Sequence, residues 1–264
     1  MTKAALFMLS GVLLHRFRTI DEFDLHGKGR EVPWAVVLFA VGGLLLSAIP
    51  VVTLFFGKSL LDAAALEGGY AWLPSIFVIS SMATSGAVLR VSGRLLGWGP
   101  ADRGDERQAA EAREEEAEEE APREYTPPLM LFVPAVLLLG AIVIGLIPGA
   151  VPAIEVAAGH FRDHLAYINW VLHGFVQFAP ASTSHVKGFD YAYAGGATLG
   201  AIALAALGLF GRPLRRRLPD LLLQPVAVAV GGLRHLHSGH IGDYIAWWTA
   251  GAAALGGASL IFLR

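Results

Sequence analysis

The sequence predicts an all-α fold: a polytopic membrane helix bundle of about six crossings, one of them a discontinuous helix. Three observations carry this. First, the 264 residues are 55% hydrophobic and only 16% charged, with a mean hydropathy of +0.55, whereas soluble domains typically carry about 25% charged residues. Second, several apolar runs reach the roughly 20 residues that a helix needs to cross about 30 Å of hydrocarbon. Third, the basic residues are spread unevenly over the intervening loops, as in oriented membrane proteins.

The first apolar run, residues 4–14, is short. At about 1.5 Å per residue it covers roughly half of the hydrocarbon thickness. It is part of a membrane helix that either tilts and snorkels its ends or begins in mid-helix, and the second case implies a fragment. A signal peptide fits poorly, because no small-residue cleavage site precedes the charged stretch 15–31. Residues 33–66 are the opposite case, too long for one straight span. Pro50, then Val51-Val52-Thr53 and later Gly57, are poor residues for a helix interior. The segment is either two short helices or one broken helix.

Charge counting chooses between them. With one crossing, the loops 15–32, 95–126 and 211–241 share a side and hold thirteen Lys/Arg, against three (Arg162, Lys187, Arg264) opposite. With two crossings the balance is seven against nine, which sets no orientation. A single broken crossing is therefore preferred, with the basic loops cytoplasmic, in a prokaryotic plasma membrane. The clearest further spans are 72–89, 129–148, 191–210 and 242–263. The run 129–148 (LMLFVPAVLLLGAIVIGLIP) has no charge at all.

Three regions follow: membrane helices over 1–95, an acidic linker over 96–126, and C-terminal membrane helices with interfacial segments over 127–264. Residues 101–124 carry eleven Asp/Glu and four Arg, and the like charges of 114–120 repel one another, so this is a flexible or partly helical connector. Residues 150–188 mix apolar and charged residues like an interfacial helix and loop. The stretch 221–236, interrupted by Pro225 and Gly231-Gly232, reads as a surface-lying segment.

Several chemistries are excluded or unsupported. No cysteine is present, so the chain has no disulfide, thiolate metal site or cysteine nucleophile. His160 and His164 have metal-compatible spacing without an apparent third ligand. The cluster His235, His237 and His240 reads as interfacial hydrogen bonding or proton exchange. No metal site or cofactor is expected. Phosphate-cradling, dinucleotide and nucleophile-elbow motifs are absent, as is a basic footprint for nucleic acid. The small residues of Gly195-Gly196-Ala197-Thr198-Leu199-Gly200 suit close helix packing.

Lys58 stands out. An ammonium at membrane depth costs several kcal/mol unless it is hydrated, paired or neutral. The preceding Pro/Thr break frees backbone groups, which is tolerated only where protein or water covers them. Together they imply a polar cavity, against the plainer reading of a lysine snorkelling from a helix end. Lys3 has the same ambiguity. Arg90 and Arg94, four residues apart at the end of the 72–89 span, are either edge anchors or part of a charged axis.

These residues resemble a known family. Lys3-Ala4-Ala5-Leu6-Phe7-Met8-Leu9-Ser10-Gly11 is similar to the lysine-led helix "FKALLFLxAG" of antiporter-like membrane subunits. Such subunits occur in respiratory complex I, membrane hydrogenases and Mrp-type Na+/H+ antiporters. Residues 21–33 are similar to the family connector "GGLxxxxP". Ser47-Ala48-Ile49-Pro50-Val51-Val52-Thr53-Leu54-Phe55-Phe56-Gly57-Lys58 resembles the break "SxLPxxxGFxSK". Ala87-Val88-Leu89-Arg90, Gly93-Arg94 and Gly97-Trp98-Gly99 continue the match through residue 100, and Gly242-Asp243-Tyr244 resembles the start of a late helix.

The resemblance implies an H+ or Na+ pathway through Lys58, Lys3 and Arg90, at a break formed by Pro50, Thr53 and Gly57. Lys58 would be the broken-helix lysine of a hydrophilic axis, with Lys3 its neighbour; Gly57 replaces a common serine. Nothing in the chain corresponds to the family's first helix bundle with its glutamate–lysine pair. The resemblance therefore implies a C-terminal portion: a truncated product, a misassigned start or half of a split subunit. Implied partners are other membrane subunits, including that N-terminal bundle, and the lipid bilayer. Flavin, NADH and iron–sulfur chemistry would belong to other subunits. The alternatives are a non-transporting scaffold or assembly subunit and, third, a small autonomous transporter.

Overall fold

The computed structural model describes residues 1–50, 52–101, 125–147 and 188–215, with a few isolated positions elsewhere. The chain divides into two compact units, Met1–Arg212 and Pro213–Arg264, and all the geometry below belongs to the first. Among the described residues every regular element is helical: α1 (Thr2–Phe17), a short 3-10 turn (Lys28–Glu31), α2 (Pro33–Leu46), α3 (Thr53–Glu67), α4 (Leu73–Leu95), α5 (Pro128–Leu146) and α6 (Gly188–Arg215). The all-α expectation holds.

Among the described residues, three helices are long and apolar enough to cross a membrane: α4, α5 and the Gly188–Gly211 part of α6. They coincide with three of the four apolar runs. The fourth run (242–263), the linker 102–124, most of the stretch 150–187, the segment 221–236 and all five histidines of the two clusters lie outside the described residues. α2 is apolar but shorter. α1 has 16 residues, which at 1.5 Å per residue is about 24 Å, longer than the run 4–14 implied. Proline in the first turn of α2, α4 and α5 suits those starts, where its missing N–H is not needed.

The helices pack through two apolar clusters. Leu9, Val12 and Leu13 of α1 meet Val36 and Phe39 of α2, with Leu25 and Leu95 at one end. Ala5, Leu45, Val52, Phe55, Leu138, Ala141 and Ala194 form the second, which joins the start of α1 to the region where the 33–66 segment breaks. α4 and α6 approach through small residues. A Cβ at Gly86 would lie 3.1 Å from the Ala201 carbonyl oxygen, and one at Gly200 would strike Met82. Within lipid such close backbone approach replaces the hydrophobic drive that operates in water. Gly195 and Gly196 face open space, so Gly200 alone of those three glycines makes such an approach.

The 33–66 segment is divided. α2 ends at Leu46, α3 begins at Thr53, and the described residues between them, Ser47–Pro50 and Val52, are non-helical. Pro50 lacks an N–H and disfavours helical geometry in the residue before it. Ala48 turns the chain with a left-handed φ of 61° while fully buried. That conformation costs a non-glycine residue about 1 to 3 kcal/mol and is worse for a β-branched one. Ala48→Val is therefore expected to destabilise the chain by about 2 kcal/mol, read as a lower thermal unfolding midpoint in detergent; Ala48→Gly should not.

Candidate functional site at the helix break

A broken helix exposes the last carbonyls of its first half and the first N–H groups of its second. In lipid each must be satisfied by protein or water. Two serine hydroxyls cover carbonyls at the end of α2, and two threonine hydroxyls tie the break to its neighbours. Ser85 Oγ of α4 donates to the Gly43 carbonyl at 2.6 Å. Ser47 Oγ donates to the Leu44 carbonyl at 2.6 Å and shares a 2.9 Å hydrogen bond with Thr198 Oγ1 of α6. Thr53, the first residue of α3, donates Oγ1 to the Ala141 carbonyl of α5 at 2.7 Å. The break is a polar seam inside an otherwise apolar bundle.

Lys58 lies in the second turn of α3. It is half-buried, and its Nζ donates to Ser81 Oγ of α4 at 2.9 Å. One turn further, on the same helix face, is Asp62, only 3% exposed. Its Oδ1 has no hydrogen-bond partner among the described residues. Asp62 interacts electrostatically with Lys58 and with Asp190 near the start of α6. The amine thus meets a hydroxyl across two helices, with the Asp62 carboxylate one turn along and Asp190 acting on it electrostatically. Such a set can hold a charge at low dielectric and pass a proton between members.

The other expected positions are distributed around this centre. Pro50 lies in the break, and Gly57 is exposed with open space where a Cβ would stand, so no neighbour demands glycine there. Lys3 is exposed in the first turn of α1, two residues before Ala5, which packs with Val52 and Phe55 of the break region. The α1 and α3 helices both pack against α5. Arg90 is placed elsewhere: its Nε meets Glu22 Oε2 at 3.1 Å, nine residues beyond Ser81 on α4, or about 13 Å along the axis. Arg94 is buried, stacks over the Phe23 ring at 4.3 Å and donates to the Pro100 carbonyl. Both arginines thus fasten the connector between α1 and α2 to the end of α4.

Asp62, Ser81 and Asp190 are the site residues that the sequence reading missed. The Lys58/Asp62 spacing of four was an available signal, since such a pair shares one helix face. Ser81 and Asp190 depend on the tertiary arrangement and had none.

Comparison with known proteins decides what this arrangement is like. NADH-quinone oxidoreductase subunit N of Cutibacterium acnes is 38% identical over 65 residues, 25% of this chain and 12% of that protein. Subunit N 1 of Solibacter usitatus is 29% identical over 134 residues, 51% of this chain and 24% of that protein. The chain resembles NADH-quinone oxidoreductase subunit N. The antiporter-like resemblance read from the motifs is thus borne out. The matched stretches span about an eighth and about a quarter of the subunit N proteins. No protein-family model and no solved structure matches. The subunit N likeness and the three long apolar helices mark an integral membrane protein.

Proposed function

We propose that the chain is a membrane subunit of an NADH-quinone-oxidoreductase-type complex, or of a related hydrogenase or Mrp complex, and takes part in moving H+ or Na+ across a membrane. The observation that carries this is Lys58, held by Ser81 beside a helix break whose Gly43 and Leu44 carbonyls are covered by serine hydroxyls. A lysine with a hydrogen-bond acceptor and a carboxylate close by can load and release a proton where a snorkelling lysine would reach for the membrane surface. Lys3 is its neighbour, on a helix that packs against α5 as α3 does. Arg90, on the connector side, belongs to the edge of the same axis.

The proposed setting is a prokaryotic plasma membrane, with six crossings, α2 and α3 together making one of them, and the basic loops cytoplasmic. At about 21 and 22 Å neither α2 nor α3 alone spans 30 Å of hydrocarbon, which favours a joint crossing. The partners are further membrane subunits, a helix bundle equivalent to the family's first, and lipid. Redox chemistry falls to other subunits. In inverted vesicles carrying the assembled complex, Lys58→Ala is expected to lower ion uptake by roughly tenfold or more at unchanged amounts of assembled chain. Undiminished uptake would overturn the reading, and loss of assembly with normal uptake per complex would favour a scaffold.

A further inference from the structure

We propose that Asp62 is the proton-exchange partner of Lys58. The proposal rests on the reading of Lys58 given above and extends it to a residue that the motif resemblance does not include. Asp62 is more deeply buried than any other acidic residue described. A buried carboxylate ordinarily has its oxygens hydrogen-bonded, and one without a partner costs free energy. Asp62 Oδ1 has no such partner among the described residues, so its compensation is electrostatic or a bound proton. Lys58 lies one turn back on the same face, and Asp190 also acts on the Asp62 carboxylate electrostatically.

The groups around the pair are Lys58 and Ser59 on its own helix, Ser81 on α4 and Asp190 on α6, while α5, which also packs against α3, carries no titratable side chain. Ser59 Oγ is already committed to the Phe56 carbonyl, and Ser81 accepts from Lys58. The exchange step balances simply. One N–H bond of the Lys58 ammonium breaks, one O–H bond forms on Asp62, and ammonium plus carboxylate become neutral amine plus neutral acid. No net charge moves out of the cluster, so the step avoids leaving an unpaired buried ion.

Infrared pH titration of the full-length chain in lipid vesicles tests this without any measurement of transport. The protonated-carboxyl C=O band is followed in the native chain and in Asp62→Asn, Asp62→Glu and Lys58→Ala. A titrating band lost in Asp62→Asn, kept in Asp62→Glu and displaced in midpoint by about one pH unit in Lys58→Ala is expected, a tenfold change in proton affinity. An unaltered band in Asp62→Asn overturns the proposal, as does a midpoint indifferent to Lys58→Ala. If Asp62→Asn does not fold, the Glu and Lys58→Ala chains decide alone. A coupled Asp62 in a complex whose ion uptake survives Lys58→Ala would sink the transport reading and leave this coupling standing.

Discussion

Gly29→Ala is expected to unfold well below the native chain, with a loss of about 3 kcal/mol, although it adds a single methyl group. Gly29 is buried in the 3-10 turn Lys28–Glu31. A Cβ there would lie 2.5 Å from the Leu95 carbonyl oxygen and 2.6 Å from Val36 Cγ2. One of those obstacles is backbone at the end of α4, so no rotamer change relieves the clash, and overpacking of this kind must move a whole element. The same seat is fixed by several other contacts. Gly27 N–H donates to the Arg94 carbonyl at 3.0 Å, His26 Nε2 donates to the Gly99 carbonyl at 3.1 Å, and Glu22 pairs with Arg90. Displacing the turn breaks them together. Gly11→Ala is the matched control: Gly11 lies in α1 with nothing within 4 Å of its Cβ position. That change should raise stability by about 0.5 to 1 kcal/mol, so thermal unfolding of the two chains in detergent should shift in opposite directions.

The helical class was legible because it depends on composition and on run length, both local quantities. The runs 72–89, 129–148 and 191–210 became α4, α5 and α6 with ends shifted by a few residues at most starts and stops. The break before α3 was also legible, since Pro50 removes a helical N–H and the β-branched Val51-Val52-Thr53 that follow are weak helix formers. Lys58 announced itself as a charge in an apolar run. Its setting did not. Ser81 is 23 residues away in sequence and carries no charge to mark it, and Asp190 lies on a helix beyond the acidic linker. Asp62 was within reach of local reasoning, one turn from the lysine, yet an apolar-run search weights a lone Asp lightly. The arginines show the same limit. Arg90 and Arg94 share a face by spacing, but only the fold shows the Glu22 pair and the Phe23 stack that occupy them at the connector.

Chemical rescue at position 58 exploits the absence of cysteine from the chain. A Lys58→Cys chain offers its single thiol at the break, and an aminoethyl thiol reagent rebuilds a side chain of nearly lysine length ending in an amine. A methyl thiol reagent of the same chemistry fills the site without a titratable group. The required feature is an amine that can gain and lose a proton, not bulk at the break. In the assembled complex in vesicles, with the native chain as the reagent control, Lys58→Cys should lose ion uptake by roughly tenfold or more. Aminoethylation should restore a large part of it, and methylation should not. Undiminished uptake by the unmodified Lys58→Cys complex, or equal restoration by the methyl reagent, would contradict the account of Lys58 as a proton carrier at a polar helix break.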